Sequence, residues 1–396
     1  MVEWRPLNSI VKSISTGLNP RQNFVLNEED ANYYYVTVKE ITTNKVVFSD
    51  NTDRISEKAK QIINNRSKLS EGDVLFSGIG TIGKVAYVGF PTKNWDCSES
   101  VFLIKPNNDL IRGKYLFYIL SSDVARKQYE KGSSGAIMKG VRKGTLETLQ
   151  IPIPSLAEQE RIVGILDTFM ASIDNLNEQI AQRRKQYEHY RDQLLDLEGK
   201  PGVENKVLEE ICEIRGRIGF RGYTREDQVA KGEGALTLTA TNIVNQRIDY
   251  NNNTYITWAK YYESPEIMVK NGDIIVCQRG SIGKVAIVEN LNEEATINPQ
   301  LLLLKNIKCN NRYLIHYMLS KFFQDSLNRI IGFGTIQMIA QKDLKGLQIC
   351  ILPDNEQQRI VSILDTFEAS ISNLEAQLAQ RQKQYEYYRN KLLTFE

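Results

Sequence analysis

The sequence predicts a mixed α/β (α+β) protein that is built twice, as two modules that are each followed by a long helix. The main observation is a repeat: residues 149–198 recur at 347–396, with 32 of 50 positions identical and no gap. A looser repeat relates the regions before these segments, and a heptad pattern runs through both copies. A repeat of this length sets the architecture of a chain. We expect the two helices to form an antiparallel coiled coil, which would give the molecule an internal pseudo-twofold axis.

Both predicted helices carry an apolar stripe whose spacing alternates between three and four residues. Such a stripe is typical of the a/d seam of a coiled coil. The seam of the first helix consists of Leu166, Phe169, Ile173, Leu176, Ile180, Arg183, Tyr187, Tyr190, Leu194 and Leu197. The seam of the second consists of Leu364, Phe367, Ile371, Leu374, Leu378, Arg381, Tyr385, Tyr388, Leu392 and Phe395. At about 1.5 Å per residue, roughly 40 residues make a helix on the order of 60 Å long, which suits a spacer.

The same seam position is an arginine in both helices, Arg183 and Arg381. A polar seam residue can fix the register of a coiled coil, so one interpretation is that the two arginines are a pairing device. The other interpretation is that each side chain extends past the seam to solvent.

Local signals mark the ends of the helices. Ser155 with Glu158, and Asp354 with Gln357, have the spacing of capping boxes and predict the two helix starts. The stretch Gly-Lys-Pro-Gly at 199–202 predicts the end of the first helix.

The two modules share a strand, a glycine turn and a second strand. This motif is GDVLFSGIGTIGKVAYV at 72–88 and GDIIVCQRGSIGKVAIV at 272–288, with β-branched residues on both sides of the turn. A further strand at 102–105 or 302–305 follows, and then a short helix at 114–121 or 312–320. The predicted boundaries are 1–152 for the first module, 153–199 for the first helix, 200–350 for the second module and 351–396 for the second helix.

Composition excludes several classes of protein. The formal net charge is only +2, which does not indicate a strong nucleic-acid binder that acts alone. The five cysteines form no CxxC pair and only two histidines are present, so neither a disulfide framework nor a zinc site is predicted. The sequence shows no signal peptide and no apolar run near 18 residues, and we expect a soluble, cytoplasmic protein without membrane contact.

Two motifs resemble those of enzymes, and both are incomplete. Residues 78–84, GIGTIGK, match GxGxxG and nearly match the phosphate loop, but Val85 stands where a metal-binding hydroxyl is required. The motif therefore predicts a tight hairpin turn with glycines at positive φ and no bound nucleotide. Residues 298–301 begin like the Asn-Pro-Pro-Tyr signature of adenine methyltransferases but lack its third and fourth residues. We predict no catalytic residue, no metal site and no cofactor on this chain.

The segments in which the modules diverge carry the functional signal. They are rich in basic and amide side chains, of which arginine, asparagine and glutamine contact base edges and lysine and arginine bind phosphates. The predicted DNA-binding residues are Arg21, Lys84, Lys139, Arg142 and Lys143 in the first module, and Arg215, Arg217, Arg221, Arg225, Gln278, Arg279 and Lys284 in the second. For each of them, a solvated turn residue is the competing interpretation.

The order of these parts resembles that of the specificity subunits of type I restriction–modification systems. The resemblance is carried by Leu149-Gln150-Ile151-Pro152-Ile153-Pro154, Glu158-Gln159, Arg161-Ile162-Val163 and Ile165-Leu166-Asp167. The GDxxxxxxGxIGKVA strand pair is also similar to that of the family's target-recognition domains. The resemblance covers essentially the whole chain, and the second copy departs from it at Cys350 and Leu352, which replace the two prolines.

The resemblance implies a non-catalytic subunit that recognises DNA. Each target-recognition domain would contact one half of a split, asymmetric site, and the coiled coil would set the undefined spacer. The helices would bind two methyltransferase subunits, which use S-adenosylmethionine, and motor-nuclease subunits would join for cleavage. The partner-binding faces are expected on the flanks of both helices, beginning near Gln159 and Gln357. Two other functions stay open: a stand-alone, nucleotide-dependent enzyme, and a coiled-coil dimerisation scaffold that recognises no DNA.

Overall fold

The computed structural model describes residues 2–42, 44–131, 140–219, 222–331 and 337–395. The chain divides into two compact units: unit 1 comprises residues 1–177 and 376–396, and unit 2 comprises residues 178–375. Each unit contains one module and a segment of each long helix. None of the helices in the described part of the chain combines the length and the apolar character that a membrane span requires.

The strands of unit 1 are short and come in groups that are separated by helices. The strands in its described residues are β1 (Glu3–Pro6), β2 (Val11–Thr16), β3 (Tyr33–Val36), β4 (Ile41–Thr42), β5 (Lys45–Val46), β6 (Arg54–Ile55), β7 (Val74–Ser77), β8 (Val85–Tyr87), β9 (Trp95–Cys97), β10 (Val101–Pro106) and β11 (Gln150–Ile153). The helices are α1 (Pro20–Asn23), α2 (Glu57–Arg66), α3 (Gly113–Leu120), α4 (Asp123–Lys131), α5 (Lys143–Glu147) and the long α6 (Leu156–Leu194).

Two sheets form the module of unit 1. The larger sheet is antiparallel in the order β2-β10-β7-β8, and the predicted hairpin is its β7–β8 edge. The smaller sheet has the order β6-β3-β9, with β3 and β9 parallel. A separate pair, β1 with β11, joins the start of the chain to the strand just before α6. The predicted mixed α/β class, the hairpin and the strand at 102–105 are confirmed.

The larger sheet of unit 1 is buried on both faces. Val74 and Phe76 belong to a core with α3 and the first turns of α6, whereas Leu75 belongs to a second core with Trp95 of the smaller sheet. Because successive side chains of a strand point to opposite faces, a strand between two cores must be apolar throughout. This explains why β7 is a continuous apolar run and does not alternate.

Unit 2 repeats this order of elements. Its strands in the described residues are β12 (Glu204–Val207), β13 (Glu213–Gly216), β14 (Gln228–Val229), β15 (Gly234–Leu238), β16 (Ile243–Val244), β17 (Arg247–Ile248), β18 (Thr254–Thr257), β19 (Ile274–Cys277), β20 (Val285–Ile287), β21 (Ala295–Ile297), β22 (Leu301–Lys305) and β23 (Gln348–Ile351). Its helices are α7 (Leu208–Ile211), α8 (Trp258–Tyr262), α9 (Asn311–Leu319), α10 (Lys321–Arg329), α11 (Gln341–Lys345) and the long α12 (Asp354–Leu393).

The sheets of unit 2 correspond to those of unit 1 with two extensions. The strands β13-β22-β19-β20 repeat β2-β10-β7-β8, and the hairpin β16–β17 adds two more strands beside β20. The smaller sheet has the order β14-β18-β15-β21, in which β14 is the added strand and β15 with the edge strand β21 is again a parallel pair. The pair β12–β23 matches β1–β11. The predicted internal repeat is thus confirmed at the level of strand order.

The glycine turn adopts the predicted backbone in both units. Gly80 and Gly83 have φ values of +81° and +81°, and Gly280 and Gly283 have values of +77° and +81°. The turn connects two antiparallel strands of one sheet and does not lead into a helix. It therefore has the geometry of a hairpin turn, as predicted, and lacks the strand–loop–helix context of a phosphate loop.

The long helices contact each other inside each unit. In unit 2, Arg184 forms an ion pair with Glu375 at 2.6 Å and the ring of Tyr190 stacks on Phe367 at 5.4 Å, so the helix segments of this unit are antiparallel. In unit 1, Phe169 stacks on Tyr388 at 5.3 Å. The seam arginines lie over rings of the facing helix: Arg183 is 5.9 Å from Phe367 and Arg381 is 5.7 Å from Phe169. These contacts favour the interpretation as a pairing device.

The predicted seam is more exposed near the carboxyl end of each helix, although Tyr190 and Tyr388 still stack on rings of the facing helix. Tyr190 and Tyr388 are 44% and 41% exposed, whereas the neighbouring Arg191 and Arg389 are buried. Further along, Leu195 and Leu393 are more buried than Leu194 and Leu392. Arg191 and Arg389 lie over rings of their own helices, Tyr187 at 5.5 Å and Tyr385 at 5.3 Å. The upstream seam residues Leu166, Ile173, Ile180, Tyr187, Leu364 and Tyr385 are buried as predicted.

The predicted helix ends need correction. The hydroxyl of Ser155 accepts the N–H of Glu158 at 3.3 Å, but the Glu158 carboxylate forms an ion pair with Arg161 and does not close the capping box. The capping box at Asp354 is wrong, because α12 already begins there and the N–H of Gln357 donates to the Pro353 carbonyl. The helix α6 ends at Leu194, five residues before the glycine that was predicted to end it.

A buried glutamine fixes the first turn of each long helix to its module. The Gln159 amide accepts the N–H of Arg112 at 2.8 Å and donates to the carbonyls of Leu110 and Pro154, both at 3.0 Å. The equivalent Gln357 accepts the N–H of Asn310 at 2.9 Å. Both glutamines are buried, at 0% and 1% exposure, so the predicted partner-binding faces do not include them.

A second contact joins each long helix to its module through charge. In unit 1, Lys114 and Tyr118 of α3 both donate to Asp167, at 2.6 and 2.7 Å. In unit 2, the equivalent Arg312 and His316 of α9 contact Asp365, at 2.6 and 2.9 Å.

Candidate nucleic-acid interface

In each unit, the ends of three neighbouring strands bring several chain segments together. In unit 2, Gly216 of β13 pairs with Leu302 of β22, and Leu302 pairs with Val276 of β19. The ends of β13 and β19 and the beginning of β22 therefore lie at the same end of the sheet. We call this region the strand-end cluster; it comprises residues 216–217, 278–281, 298–300 and 338–339 in unit 2, and 16–17, 78–81, 98–100 and 140–141 in unit 1.

The backbone of the strand-end cluster is the same in both units. In unit 2, the N–H of Gln278 donates to the Gln300 carbonyl at 2.9 Å, and the Gln278 carbonyl accepts the N–H of Ile339 at 3.0 Å. The matching bonds of unit 1 are Gly78 N–H to the Ser100 carbonyl (3.0 Å) and Val141 N–H to the Gly78 carbonyl (2.8 Å). The turn is therefore tied to the strand start on one side and to the segment before α5 or α11 on the other.

Two of the predicted DNA-binding residues lie on this turn in unit 2. The Gln278 amide nitrogen donates to the Pro299 carbonyl at 2.9 Å, which orients the side chain and leaves its oxygen without a protein donor in the described residues. Arg279 is exposed, and its guanidinium lies 3.5 Å from the sulfur of Met338, a weak acceptor. Within the described residues it has no carboxylate partner. This pair of side chains can offer several donors to an incoming ligand.

The third predicted residue of the cluster, Arg217, is buried. It is 8% exposed, and its guanidinium donates to the Ile297 carbonyl at 3.2 Å and to the Thr296 hydroxyl at 3.1 Å. Burial lowers the pKa of this guanidinium below its ordinary value. A DNA contact by Arg217 would require the guanidinium to leave these partners, so in this structure Arg217 joins the larger sheet to the smaller one.

The equivalent position in unit 1 is Gly17. A Cβ atom there would lie only 1.7 Å from the Cys97 carbonyl oxygen, so the backbone itself passes against the smaller sheet. Unit 2 fills the corresponding space with the Arg217 side chain.

The remaining candidates of unit 2 lie on the surface. Arg215 is exposed on β13 and forms an ion pair with Glu213 at 2.8 Å. Arg225 and Lys284 are exposed and have no ion pair among the described residues. Arg221 lies outside the described residues.

The predicted DNA-binding residues of unit 1 differ in exposure and in whether their charged groups already have partners within the protein. Arg21 and Arg142 are exposed, and Lys143 is exposed with an ion pair to Glu147 at 3.6 Å. Lys84 is half-buried, and its ammonium donates to the Val38 carbonyl at 2.9 Å, whereas the equivalent Lys284 is exposed. Lys139 lies outside the described residues. All of these assignments to DNA contacts stay predictions.

The strand-end cluster also contains residues that the sequence did not single out as DNA contacts. Gln300 is exposed, and its side-chain oxygen Oε1 accepts a hydrogen bond from the side-chain amide of Asn298 at 3.2 Å. Asn298 and Gln300 belong to the stretch that begins like a methyltransferase signature, and the structure instead places them beside the glycine turn. An alignment of the two modules could have identified these two positions. Asn298 and Gln300 align with Ser98 and Ser100 of unit 1, so both positions differ between the modules.

The geometry favours binding chemistry at the cluster. The side chains that converge there are amides and a guanidinium, which are hydrogen-bond donors and acceptors with little acid–base or nucleophilic capacity. No group of three or more histidine, cysteine, aspartate or glutamate residues in the described part of the chain is arranged to hold a metal ion. The amide and guanidinium groups match the edges of nucleic-acid bases.

The chain matches the family model of the type I restriction modification DNA specificity domain twice, over residues 1–183 and 201–382. The two matches correspond to the two copies of the internal repeat. They cover most of the chain.

Several relatives align with long parts of the chain. The specificity subunit of the type I restriction enzyme EcoR124I/EcoR124II of Escherichia coli is 27% identical over 416 aligned positions, which cover 100% of this chain and 94% of that protein. A type I restriction enzyme specificity subunit of Haemophilus influenzae is 32% identical over 274 positions, which cover 64% of this chain and 66% of that protein.

Solved structures share the fold. A chain from the type I restriction–modification system superimposes with a TM-score of 0.60 at 18% identity and covers 99% of this chain and 97% of that one. The S subunit of the type I system of M. genitalium gives a TM-score of 0.53 at 15% identity, with 100% and 97% covered. On the strength of the repeated family match, which follows the same duplication as the fold, this chain belongs to the family of type I restriction–modification specificity subunits.

Proposed function

We propose that each unit recognises one half of a split, asymmetric DNA sequence and that the chain serves as the DNA-recognition subunit of a type I restriction–modification complex. The observation that carries this proposal is the strand-end cluster. It has the same backbone hydrogen bonds in both units but presents Gly78, Ile79 and Ser100 in one and Gln278, Arg279 and Gln300 in the other. A fixed backbone with exchanged polar side chains is suited to recognising two different short sequences.

The low net charge supports a complex in which partner subunits supply part of the contacts to DNA phosphates. A protein that neutralises many phosphates by itself needs a marked excess of lysine and arginine, and this chain has a net charge of only +2. We infer that two methyltransferase subunits bind the flanks of the long helices and supply phosphate contacts, and that motor-nuclease subunits join for cleavage. S-adenosylmethionine would then be bound by the methyltransferases and not by this chain. The complex would work where the chromosome is, in the cytoplasm.

The test is methylation mapping in cells that express this chain with the methyltransferase of the same system. We expect one methylated motif with two short defined halves and a fixed undefined gap, and no such motif when the methyltransferase is expressed alone. If the complex forms but no split motif is methylated, the proposal is wrong, and a scaffold without DNA recognition becomes the better description.

The long helices are proposed to set the length of the undefined gap. Residues 176–182 and 374–380 are equivalent heptads in α6 and α12, and removing both shortens each helix by about 10 Å, or about three base-pair steps of 3.4 Å. We expect the double deletion to shorten the gap and to leave both defined halves unchanged. The double deletion is the matched design, because deletion in one helix alone shifts the seam of that helix relative to its partner. An unchanged gap in a folded, active complex would exclude the helices as the determinant.

The competing scaffold function predicts a different outcome. Exchange of residues 215–262 for the corresponding segment of another specificity subunit should then leave every measured property of the complex the same. Under the proposal, the exchange changes only the half-site that unit 2 recognises.

A further inference from the structure

The glycine turn of the strand-end cluster is held in the same way in the two units, yet it carries very different side chains. The N–H of Gly83 donates to the Ser77 carbonyl at 3.1 Å, and the N–H of Gly283 donates to the Cys277 carbonyl at 3.2 Å. At the beginning of the turn, unit 1 has Gly78-Ile79 and unit 2 has Gln278-Arg279. The backbone alone therefore gives no reason for a glutamine and an arginine in unit 2.

Packing explains why only one unit can carry a side chain at the first position. A Cβ atom at Gly78 would lie 2.3 Å from Cε2 of Phe102, so any larger residue is excluded there. In unit 2 the equivalent of Phe102 is Leu302, which lacks a ring, and Gln278 is accommodated. Phe102 therefore leaves no room for a polar side chain at position 78 of the turn in unit 1.

Arg279 differs from Arg215 and Arg217 in having no strong acceptor among the described residues. Arg215 is paired with Glu213, and Arg217 is buried with two oxygen acceptors. The guanidinium of Arg279 contacts the thioether of Met338, which positions it without neutralising it. Gln278 precedes Arg279 in the chain, and its side-chain amide and its backbone N–H donate to the carbonyls of Pro299 and Gln300, so residues 278–279 lie beside residues 299–300.

We infer that Arg279 is a specificity-determining residue of unit 2 that contacts a guanine edge in the major groove, with Gln278 and Gln300 positioned for the neighbouring base. This inference rests on the proposed function and deepens it. A guanidinium donates two parallel hydrogen bonds to O6 and N7 of guanine, and a glutamine amide makes the matching pair with adenine. In unit 1, Ile79 occupies the position of Arg279. The side chain at this position of unit 1 therefore makes no hydrogen bonds to a guanine.

The test compares the motif methylated by the wild-type complex with that of the Arg279→Ile complex, which installs the residue found at the same position in unit 1. We expect one guanine in the half-site of unit 2 to become degenerate, with discrimination at that position falling about 10- to 100-fold, while the other half stays unchanged. The matched control is Arg126→Ile, an exposed arginine of α4 in unit 1 that pairs with Asp123 and lies outside the cluster.

The other outcomes separate the alternatives. If Arg279→Ile weakens methylation of all sites equally without changing the motif, Arg279 contacts a phosphate and the inference is wrong. An unchanged motif at unchanged strength also overturns it. If the wild-type complex itself methylates no split motif, the proposed function fails, and this is seen before any variant is made. Binding of the purified complex to duplexes that differ at the single base pair gives the same comparison in vitro and shows that the variant complex has assembled.

Discussion

In both units the module contacts a long helix at equivalent positions. Some of these contacts are made by the same residues in the two units, and others are made by different residues. Gln159 and Gln357 are the same residue with the same role. By contrast, the charged contact is made by Lys114 and Tyr118 in unit 1 and by Arg312 and His316 in unit 2. Where one side chain must satisfy buried backbone groups at fixed positions, few residues can replace it. Where side chains contact only other side chains, the residues on both sides of the contact can change together.

The charged contact of unit 2 is a larger network. Arg312 also forms an ion pair with Glu368 at 2.6 Å, and the hydroxyl of Tyr187 lies 2.9 Å from Nδ1 of His316. Burial acts to raise the pKa of Asp365, but hydrogen bonds from His316 and Arg312 outweigh it and hold the pKa below the ordinary value. In unit 1, Met170 stands where Glu368 stands in unit 2, and the Tyr385 hydroxyl has no hydrogen-bond partner among the residues that the structure describes. Unit 2 thus completes a network that unit 1 leaves open.

The largest effect is expected where the units agree. Gln159→Leu leaves a backbone N–H and two carbonyl groups without their partner, and at about 1–3 kcal/mol for each buried group we expect a loss of at least about 3 kcal/mol in unfolding free energy. Gln357→Leu should cost somewhat less, because Gln357 bonds fewer such groups: one N–H and one carbonyl. Denaturant unfolding measures both, with the exposed Gln186→Leu as the control. Equal stability of Gln159→Leu and wild type would contradict a structural role for the glutamine.

The second prediction uses a buried carboxyl group that occurs in unit 1 alone. Asp96 of β9 is fully buried, and burial raises its pKa to about 7, whereas unit 2 has Thr296 at this position. A carboxyl group with a raised pKa holds its proton in the folded state, so stability should fall as the pH rises from about 4 to about 7 and stay flat above. Asp96→Thr should remove this slope, and at pH 8 it should raise the unfolding free energy by up to about 4 kcal/mol. Unfolding at several pH values measures the slope, and the same slope in the variant would refute the assignment.

The third prediction concerns the glycine turn, where the units share a backbone but not its surroundings. A Cβ atom at Gly83 would lie 2.3 Å from the Tyr129 hydroxyl, whereas at Gly283 the nearest atom is Oε1 of the flexible Gln324 at 3.0 Å. Positive φ costs an alanine about 1–2 kcal/mol, so we expect Gly283→Ala to lose about 1 kcal/mol and Gly83→Ala to lose about 2–3 kcal/mol.

Gly80 provides the control for this comparison. It also has a φ of +81°, but nothing lies within 4 Å of its Cβ position. Thermal unfolding of Gly80→Ala should therefore show the backbone contribution alone. If Gly80→Ala and Gly83→Ala are equally unstable, Tyr129 does not constrain the turn.

The smallest effect separates the two networks. Tyr187→Phe removes the hydroxyl that lies beside His316 and should cost about 1 kcal/mol. Tyr385→Phe removes a hydroxyl for which the described part of the chain offers no hydrogen-bond partner, and it should be neutral. The two tyrosines occupy equivalent positions, so each variant is the control of the other. Equal losses of unfolding free energy in the two variants would show that the network around His316 adds no stability.

The repeat and the local patterns determined much of this fold from the sequence alone. The hairpin, the strand after it, the short helices, the buried upstream seam and the positive φ of the turn all follow from residue spacing and glycine placement, which act over a few residues. The partial exposure of Tyr190 and Tyr388 did not follow from the heptad spacing, because it depends on which neighbours cover the end of each helix.

The strand-end cluster, by contrast, was decided by the tertiary structure. Arg217, Gln278 and Gln300 are far apart in the chain and meet only because β13, β22 and β19 are neighbours in the sheet. Basic composition predicted Arg217 and Arg279 alike, yet one guanidinium is buried against Ile297 and the other is exposed. The sequence determines which side chains are available, and packing between distant segments determines which of them face solvent, because burial depends on neighbours that local spacing does not reveal.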